Sequence, residues 1–359
     1  MQNKNNLIYL PRDNVKFVQG AVRAYSMHKY LSKICNLHLI NDWEPRFNLF
    51  MKNLYNWNKL IYHGNKTSSN KKILVENTLN TYQLKFFEKL KFRFVIDIRD
   101  DLNLHADSMK IDTSQTLKLQ RDLQSIENFR LAEKILVPSQ SLITYFLERF
   151  EGLDSSKFIT LPNASDPEHF LPSQPPEKPT IGIVGGMNHG QGFDLFLDAA
   201  ILVKKQIPSL VVKCAYNYIP QTAAYRQEIL DKYNFEWIEF REDVFYSTNA
   251  PEFYSSLSVC VIPRRDTKIN QVATPSKLFD AMASARPLVV TDLKEQREIV
   301  NSENCGLVSD FKAESIADNI VQLLRNADLA EQLGRNGRTA IEKEHNWKVR
   351  AEKIVNNIF

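Results

Sequence analysis

At 359 residues the chain has room for two domains of ordinary size, and 43% hydrophobic with 25% charged residues is a globular balance, not a disordered or fibrous one. The four cysteines (Cys35, Cys214, Cys260 and Cys305) form no C-x-x-C pair and no ligand-spaced set with histidine, which argues against a zinc site or disulfide framework and for free buried thiols in a reducing compartment. The net charge of +4 hides an asymmetry: residues 1–94 hold 16 Lys and Arg against 5 Asp and Glu, and the remainder is net acidic.

The opening MQNKNNLIYLPRD has only a four-residue apolar run before charge returns, too short for a signal peptide. No apolar stretch reaches the roughly 18–20 residues of a membrane span. The expected location is cytoplasmic, or peripheral on the inner face of a membrane. Residues 7–10 (LIYL) read as a buried strand, 11–19 as a loop, 21–31 as a helix and 37–40 (LHLI) as a strand. Residues 46–62 mix aromatics with Lys and Asn in a helical pattern. A polar loop at 64–72 precedes a strand at 73–76 (ILVE), a basic aromatic helix at 82–92 and a strand at 94–98 (FVIDI). RDDLNLHADS follows as a polar loop. A long helix covers 114–133, then strand 135–138, helix 141–150 and strand 158–161. Short apolar runs alternating with helical periods predict a parallel α/β sheet.

SQPPEKP (173–179) is the predicted boundary, with three prolines in seven residues and no apolar periodicity. A second α/β series then runs through strand 181–184, helix 193–206, strand 210–214, helix 221–233, strand 237–240 and helix 250–257. Next come a buried strand from 259, a loop (DTKINQVA), a short helix and a strand ending at Thr291. Helices near 293–301, 314–325, 328–344 and from about 347, with strand 306–310, complete the chain. The expected domains are 1–172, a linker at 173–179, 180–345, and a terminal helix at 346–359 packing back on the first domain. Two such α/β domains imply a ligand cleft at the carboxyl ends of the strands.

TPSKLFDAMASA carries the clearest chemistry. Thr274 is expected to cap a helix with Pro275 at its first position. Ser276, Lys277, Asp280 and Ser284 fall on one face, and Leu278, Phe279 and Met282 on the other. A helix start is a seat for a diphosphate, and Asp280 one turn in suits sugar hydroxyls. The same pattern also describes an ordinary capped surface helix. IGIVGGMNHGQGFD is a strand running into a glycine-rich turn, where Gly185, Gly186 and Asn188 let backbone N–H groups approach phosphate. It is neither G-x-G-x-x-G nor a Walker A, and a ligand-free turn fits it as well. VIDIRDD sets Asp97, Arg99, Asp100 and Asp101 at a strand end with His105 behind. Asp100 or His105 can orient an acceptor hydroxyl or take its proton. The alternative is that Asp97 and Asp100 turn the chain and pair with Arg99. LPNASDPEHF reads as a structural turn held by Asn163 and Asp166. There is no D-x-D, so no metal–nucleotide clamp of that type and no metal site is expected, and no cofactor is called for. The basic aromatic stretches at 46–62 and 82–94 suit contact with an anionic membrane as well as ordinary packing on a sheet. No nucleic-acid-binding motif occurs.

In their order, FVIDIRDD, ENFRLAEKILVPSQSL, KFITLPNASDPEHF, IGIVGGMNHGQGFDLFLDAA, YSSLSVCVIPRR, TPSKLFDAMASARPLVVTDLKEQREIV, CGLVSD and LAEQLGRNGRTAIEKEHNW resemble a family 4 (group 1) glycosyltransferase of the GT-B fold. The resemblance implies an α/β fold of two Rossmann-like parallel-sheet domains facing across a cleft. It implies a nucleotide-sugar donor on the second domain, a glycan or lipid-linked acceptor on the first, and retaining, metal-independent transfer. Asp280 matches the second Glu of the family's E-x7-E pair, which holds the ribose; the first falls on Val272. Lys277 matches a branch with P-x-K-x-x-E. The family's two diphosphate cations correspond to Gly186 and Gln191, leaving Arg264, Arg265, Lys268 and Lys277 as substitutes. The implied donor site is Gly185, Gly186, Asn188, Arg264, Arg265, Thr274, Ser276, Lys277 and Asp280, with Asp100 and His105 on the acceptor side. The departures leave a second reading open, a degenerate GT-B protein that binds a glycan or partner without catalysis; a sugar-nucleotide epimerase is a third.

Overall fold

The computed structural model describes residues 5–10, 22–40, 72–76, 84–85, 88–109, 113–242, 244, 246 and 248–359. They form two compact units, one within Met1–Asn103, Thr113–Pro162 and Trp347–Phe359, the other within Leu104–Asp112 and Asn163–Asn346.

In the first unit, β1 (Asn6–Leu10), β2 (Asn36–Leu39), β3 (Lys72–Val75), β4 (Arg93–Asp97), β5 (Lys134–Val137) and β6 (Phe158–Thr160) form a parallel sheet in the order β2-β1-β3-β4-β5-β6. The middle strands are short apolar runs buried on both faces, as parallel strands covered by helices must be. The helices of this unit include α1 (Val22–Ile34), α3 (Gln115–Leu131) and α4 (Gln140–Arg149). Ser114 and Ser139 start the last two, their hydroxyls accepting from Leu117 and Leu142 N–H. Between α1 and α3 lies α2 (Leu102–Ser108), where a polar loop was expected. Asp101 starts it by accepting from Asn103 N–H at 2.9 Å, a local cap inside a charged stretch with little apolar periodicity. Asp97 is buried and accepts from Arg23 Nε and Nη2 at 2.7 Å each, whereas Arg99 pairs with Glu76. Of the two readings of this stretch, the structural one holds for Asp97, but its partner is Arg23 and not Arg99. The final helix, α13 (Trp347–Ile358), packs on α1, with the Arg23 guanidinium 5.7 Å from the centre of the Trp347 ring.

The second unit holds β7 (Thr180–Gly186), β8 (Val211–Asn217), β9 (Ile238–Arg241), β10 (Val259–Ile262), β11 (Leu288–Thr291) and β12 (Gly306–Ser309), parallel and in the order β12-β11-β10-β7-β8-β9. Its helices are α5 (Phe193–Gln206), α6 (Ala223–Lys232), α7 (Ala250–Ser255), α8 (Lys268–Val272), α9 (Ser276–Ala283), α10 (Lys294–Ser302), α11 (Ala313–Arg325) and α12 (Ala327–Lys343). Side chains alternate between two cores. Ile181, Val212, Val259, Val261 and Val289 meet Phe196, Val203 and Ile320 on one face. Cys260, Ile262, Leu288 and Val290 meet Phe253, Leu278, Phe279 and Ile341 on the other. The chain joins this unit from Asn163, ahead of the proline-rich 173–179, because Phe170 is fully buried in the second core.

Three local readings change. The loop DTKINQVA contains α8, whose Thr267 hydroxyl accepts from Asn270 N–H. Pro275, not Thr274, is the cap residue of α9; it is extended at ψ 133°, and the buried Thr274 lies outside the helix. Helix 221–233 opens as a 3-10 turn, Pro220–Thr222, before α6. All four cysteines are buried and free. No helix among the described residues is long and apolar enough to cross a membrane. The expected helix at 46–62 and the loops at 11–19 and 64–71 lie outside the described residues, and 82–92 is described only in part.

Candidate functional site

The strand order of the second sheet reverses between β7 and β10, and such a reversal opens a crevice at the carboxyl ends of the two strands. β7 ends there in Gly185–Gly186, and β10 runs into Pro263, Arg264 and Arg265. Gly185 has φ +153°, which favours glycine, and a Cβ on it would push the Lys277 ammonium away from this strand end. Gly192, at φ +70°, starts α5 where a Cβ would overlap the Pro263 carbonyl oxygen. Gly192 brings the β7 loop against the β10 loop, and Gly185 brings it against Lys277 of α9.

Lys277 leaves the first turn of α9 and donates to Gln191 Oε1. It brings a cation to the switch point beside Arg264. Burial pulls its ammonium down to about 7, with the Arg264 charge adding to the effect. Arg264 is buried, donating from Nη1 to the Ala273 carbonyl at 2.8 Å and from Nη2 to Asn270 Oδ1. Its Nε is buried and donates to nothing among the described residues, and burial pulls the guanidinium down to about 10. Asn270 donates in turn to the Gly190 and Arg265 carbonyls at 2.8 Å each, tying α8 to the glycine turn. Pro275 offers α9 no side-chain acceptor, so the first N–H groups of the helix are available to a ligand.

The remaining expected residues divide. Gly186 and the buried Asn188 belong to the same turn; the nearest side chain to a Cβ on Gly186 would be Ile219, with Asn188 Nδ2 next. Ser276 is exposed on the first turn of α9. Thr274 contributes its carbonyl, which accepts from Asn163 Nδ2 at 2.9 Å. Arg265 turns to Asp194 at 2.6 Å, with Tyr225 on the other oxygen of that carboxylate at 2.9 Å. Burial works against that carboxylate, but the two donors outweigh it and hold it below its ordinary range. Asp280 is buried and accepts from Ser165 Oγ at 2.7 Å. Burial pushes its carboxyl up to about 7 and the Ser165 bond only partly offsets this. The expected exposed polar face of α9 is thus half inside the protein. Val272 is buried in α8. Asp100 is half-buried in the first unit, and His105 is exposed on α2, in the second. Ser165 and Asn270 escaped the sequence reading. For Asn270 a signal existed, the Thr267-x-x-Asn270 cap spacing; for Ser165, distant in sequence from its partner, there was none.

Residues 178–326 match the family model described as Glycosyl transferases group 1. The lipopolysaccharide core biosynthesis mannosyltransferase LpsB of Rhizobium meliloti (strain 1021) is 28% identical over 168 residues, 45% of this chain and 46% of that protein. The match spans about half the length of that curated relative. Among solved structures, the sucrose-phosphate synthase of Thermosynechococcus elongatus superposes with a TM-score of 0.71 at 16% identity, covering 98% of this chain and 97% of that one. A glycosyltransferase from Rickettsia africae ESF-5 gives 0.69 at 14% identity, covering 100% and 98%. The Anabaena protein HepE, solved with UDP and glucose, gives 0.68 at 12% identity, covering 99% of both chains. The fold is that of the GT-B glycosyltransferases.

Proposed function

From a second unit that carries the group 1 glycosyl transferase segment at 178–326, we propose that this chain moves a sugar from a nucleotide-diphosphate donor to a glycan or lipid-linked acceptor. The observation that carries the proposal is Lys277, a lysine on the first turn of α9 lying against Gly185 at the switch point of that same segment. The diphosphate sits at the start of α9, where Ser276 and Lys277 N–H groups, the Lys277 ammonium and the β7 turn (Gly185, Gly186, Asn188) surround it. Negative charge grows on the leaving diphosphate as the glycosidic bond breaks, and fixed donors aimed at that charge lower the barrier. The resemblance sets Gly186 and Gln191 where the family has its usual cations, and Lys277 supplies a cation beside Gln191, donating to its amide oxygen. Arg264 stands behind it. Asp280, when ionised, accepts from the ribose hydroxyls, with Ser165 fixing one oxygen.

Transfer is proposed as retaining and metal-independent, the cations of the chain meeting the leaving-group charge. Asp100, in the first unit, and His105, in the second, are each a candidate for orienting an acceptor hydroxyl or taking its proton. Incubation with a panel of UDP- and GDP-sugars, followed by chromatography of the released nucleotide, tests the proposal. Release of UDP or GDP above background from at least one donor is expected. No release and no nucleotide binding across the panel would overturn it.

A further inference from the structure

The amino end of the second sheet, opposite the switch point, holds a cavity of about 690 Å³. Val259 and Pro287, at the starts of β10 and β11, line it together with the proline-rich segment and the α11–α12 corner. Thr180, the first residue of β7, is kept ~17 Å from Gly185 by the intervening strand at ~3.3 Å per residue. The volume is in the range of small-molecule sites, roughly 300–1,000 Å³.

Pro175, Pro176, Leu323, Leu324 and Ala330 give it an apolar wall, Glu177, Glu331 and Arg335 also line it, with Arg335 paired to Glu331, and Arg286 is a cation set into the wall. Arg286 is 3% exposed. Its Nη2 donates to the Ser173 carbonyl at 2.9 Å, the Ser255 carbonyl at 3.1 Å, the Gln174 carbonyl at 3.5 Å and the Ser173 hydroxyl. All of these bonds leave from one nitrogen. Nε is buried and donates to nothing, and no carboxylate pairs with the guanidinium among the described residues. Burial pulls Arg286 down to about 10. A buried cation matched only by neutral acceptors is an incomplete arrangement, which an entering anion completes with a charge-assisted bond.

We propose that this cavity binds a small amphipathic anion, its acid group on Arg286 and its apolar body against Pro175, Pro176, Leu323 and Leu324. The cavity is separate from the donor seat and needs no nucleotide.

The full chain is titrated with 8-anilinonaphthalene-1-sulfonate, read by fluorescence, and with uncharged N-phenyl-1-naphthylamine as its control. Saturable binding of the sulfonate at one site is expected, roughly tenfold or more tighter than the amine, the size of a charge-assisted contact. Ala330→Trp, which puts an indole into the cavity and leaves Arg286 in place, weakens it at unchanged melting temperature. Arg286→Met reduces sulfonate binding to the level of the amine; should that variant fail to fold, Ala330→Trp and the paired probes still decide. Absence of saturable binding, equal affinity for the two probes, full binding by Ala330→Trp, or displacement by UDP would each overturn the proposal.

Discussion

Lys277 and Asp280 lie one helical turn apart on α9 and are pushed toward neutrality from opposite sides, both to about 7. Removing the ammonium by Lys277→Met should weaken nucleotide-diphosphate binding roughly tenfold to a hundredfold, the ~1.5–3 kcal/mol of a charge-assisted hydrogen bond. Asp280 makes a stability prediction. Its carboxyl rises on folding from 3.8, so the folded state holds the proton more tightly. The stability linked to it is complete below pH 3.8 and is lost as pH rises through about 7. Asp280→Asn should therefore flatten the decline between pH 4 and pH 7 in denaturant titrations, while weakening nucleoside binding. An unchanged pH profile would place the carboxylate in water. The type and place of Lys277 and Asp280 were legible as residues on the first two turns of a helix. Their surroundings were not, because Ser165 beside Asp280, and Gln191 and Arg264 beside Lys277, are brought there by the fold and not by spacing.

Among the elements, α9 and β7 carry the site because each answers two demands at once. α9 buries Leu278, Phe279 and Met282 in the core and turns Lys277 to the strand ends. Phe279→Ala should cost about 3–5 kcal/mol by the cavity it leaves, measured by chemical denaturation. The strands of both sheets could be read within a residue or three, since parallel strands covered on both faces are continuous apolar runs. The helices α5 and α11 were equally plain from their periodicity. The five-residue α8 and seven-residue α2 were not, being too short to show a period and held by Thr267 and Asp101 caps within polar stretches. The cap of α9 was misplaced by one residue because Thr274 and Pro275 both suit a helix start. Gly192→Ala should destabilise the β7–α5 turn, since it combines a left-handed φ with a clash on the Pro263 carbonyl. A melting temperature equal to wild type would refute that reading.

Across the whole chain, charge is divided between front and back. Residues 1–94 carry 16 basic against 5 acidic residues, which favours an anionic partner for the first unit. Binding of the protein to vesicles of acidic lipid should weaken as salt rises and the Debye length shortens. Salt-independent or absent binding counts against a membrane-held acceptor. The two-sheet plan was legible from the alternation of elements. The donor sugar, its base and the acceptor were not, because they depend on pocket shape. The claim on which the account rests is that the start of α9 is a diphosphate seat served by Lys277. Calorimetric titration of UDP and GDP into the wild-type chain and into Lys277→Met tests it most directly. The account predicts saturable binding of at least one of the two nucleotides to the wild type and a loss of roughly tenfold or more in a variant that keeps its melting temperature. Equal affinity in the two proteins, or no binding to the wild type, would contradict it.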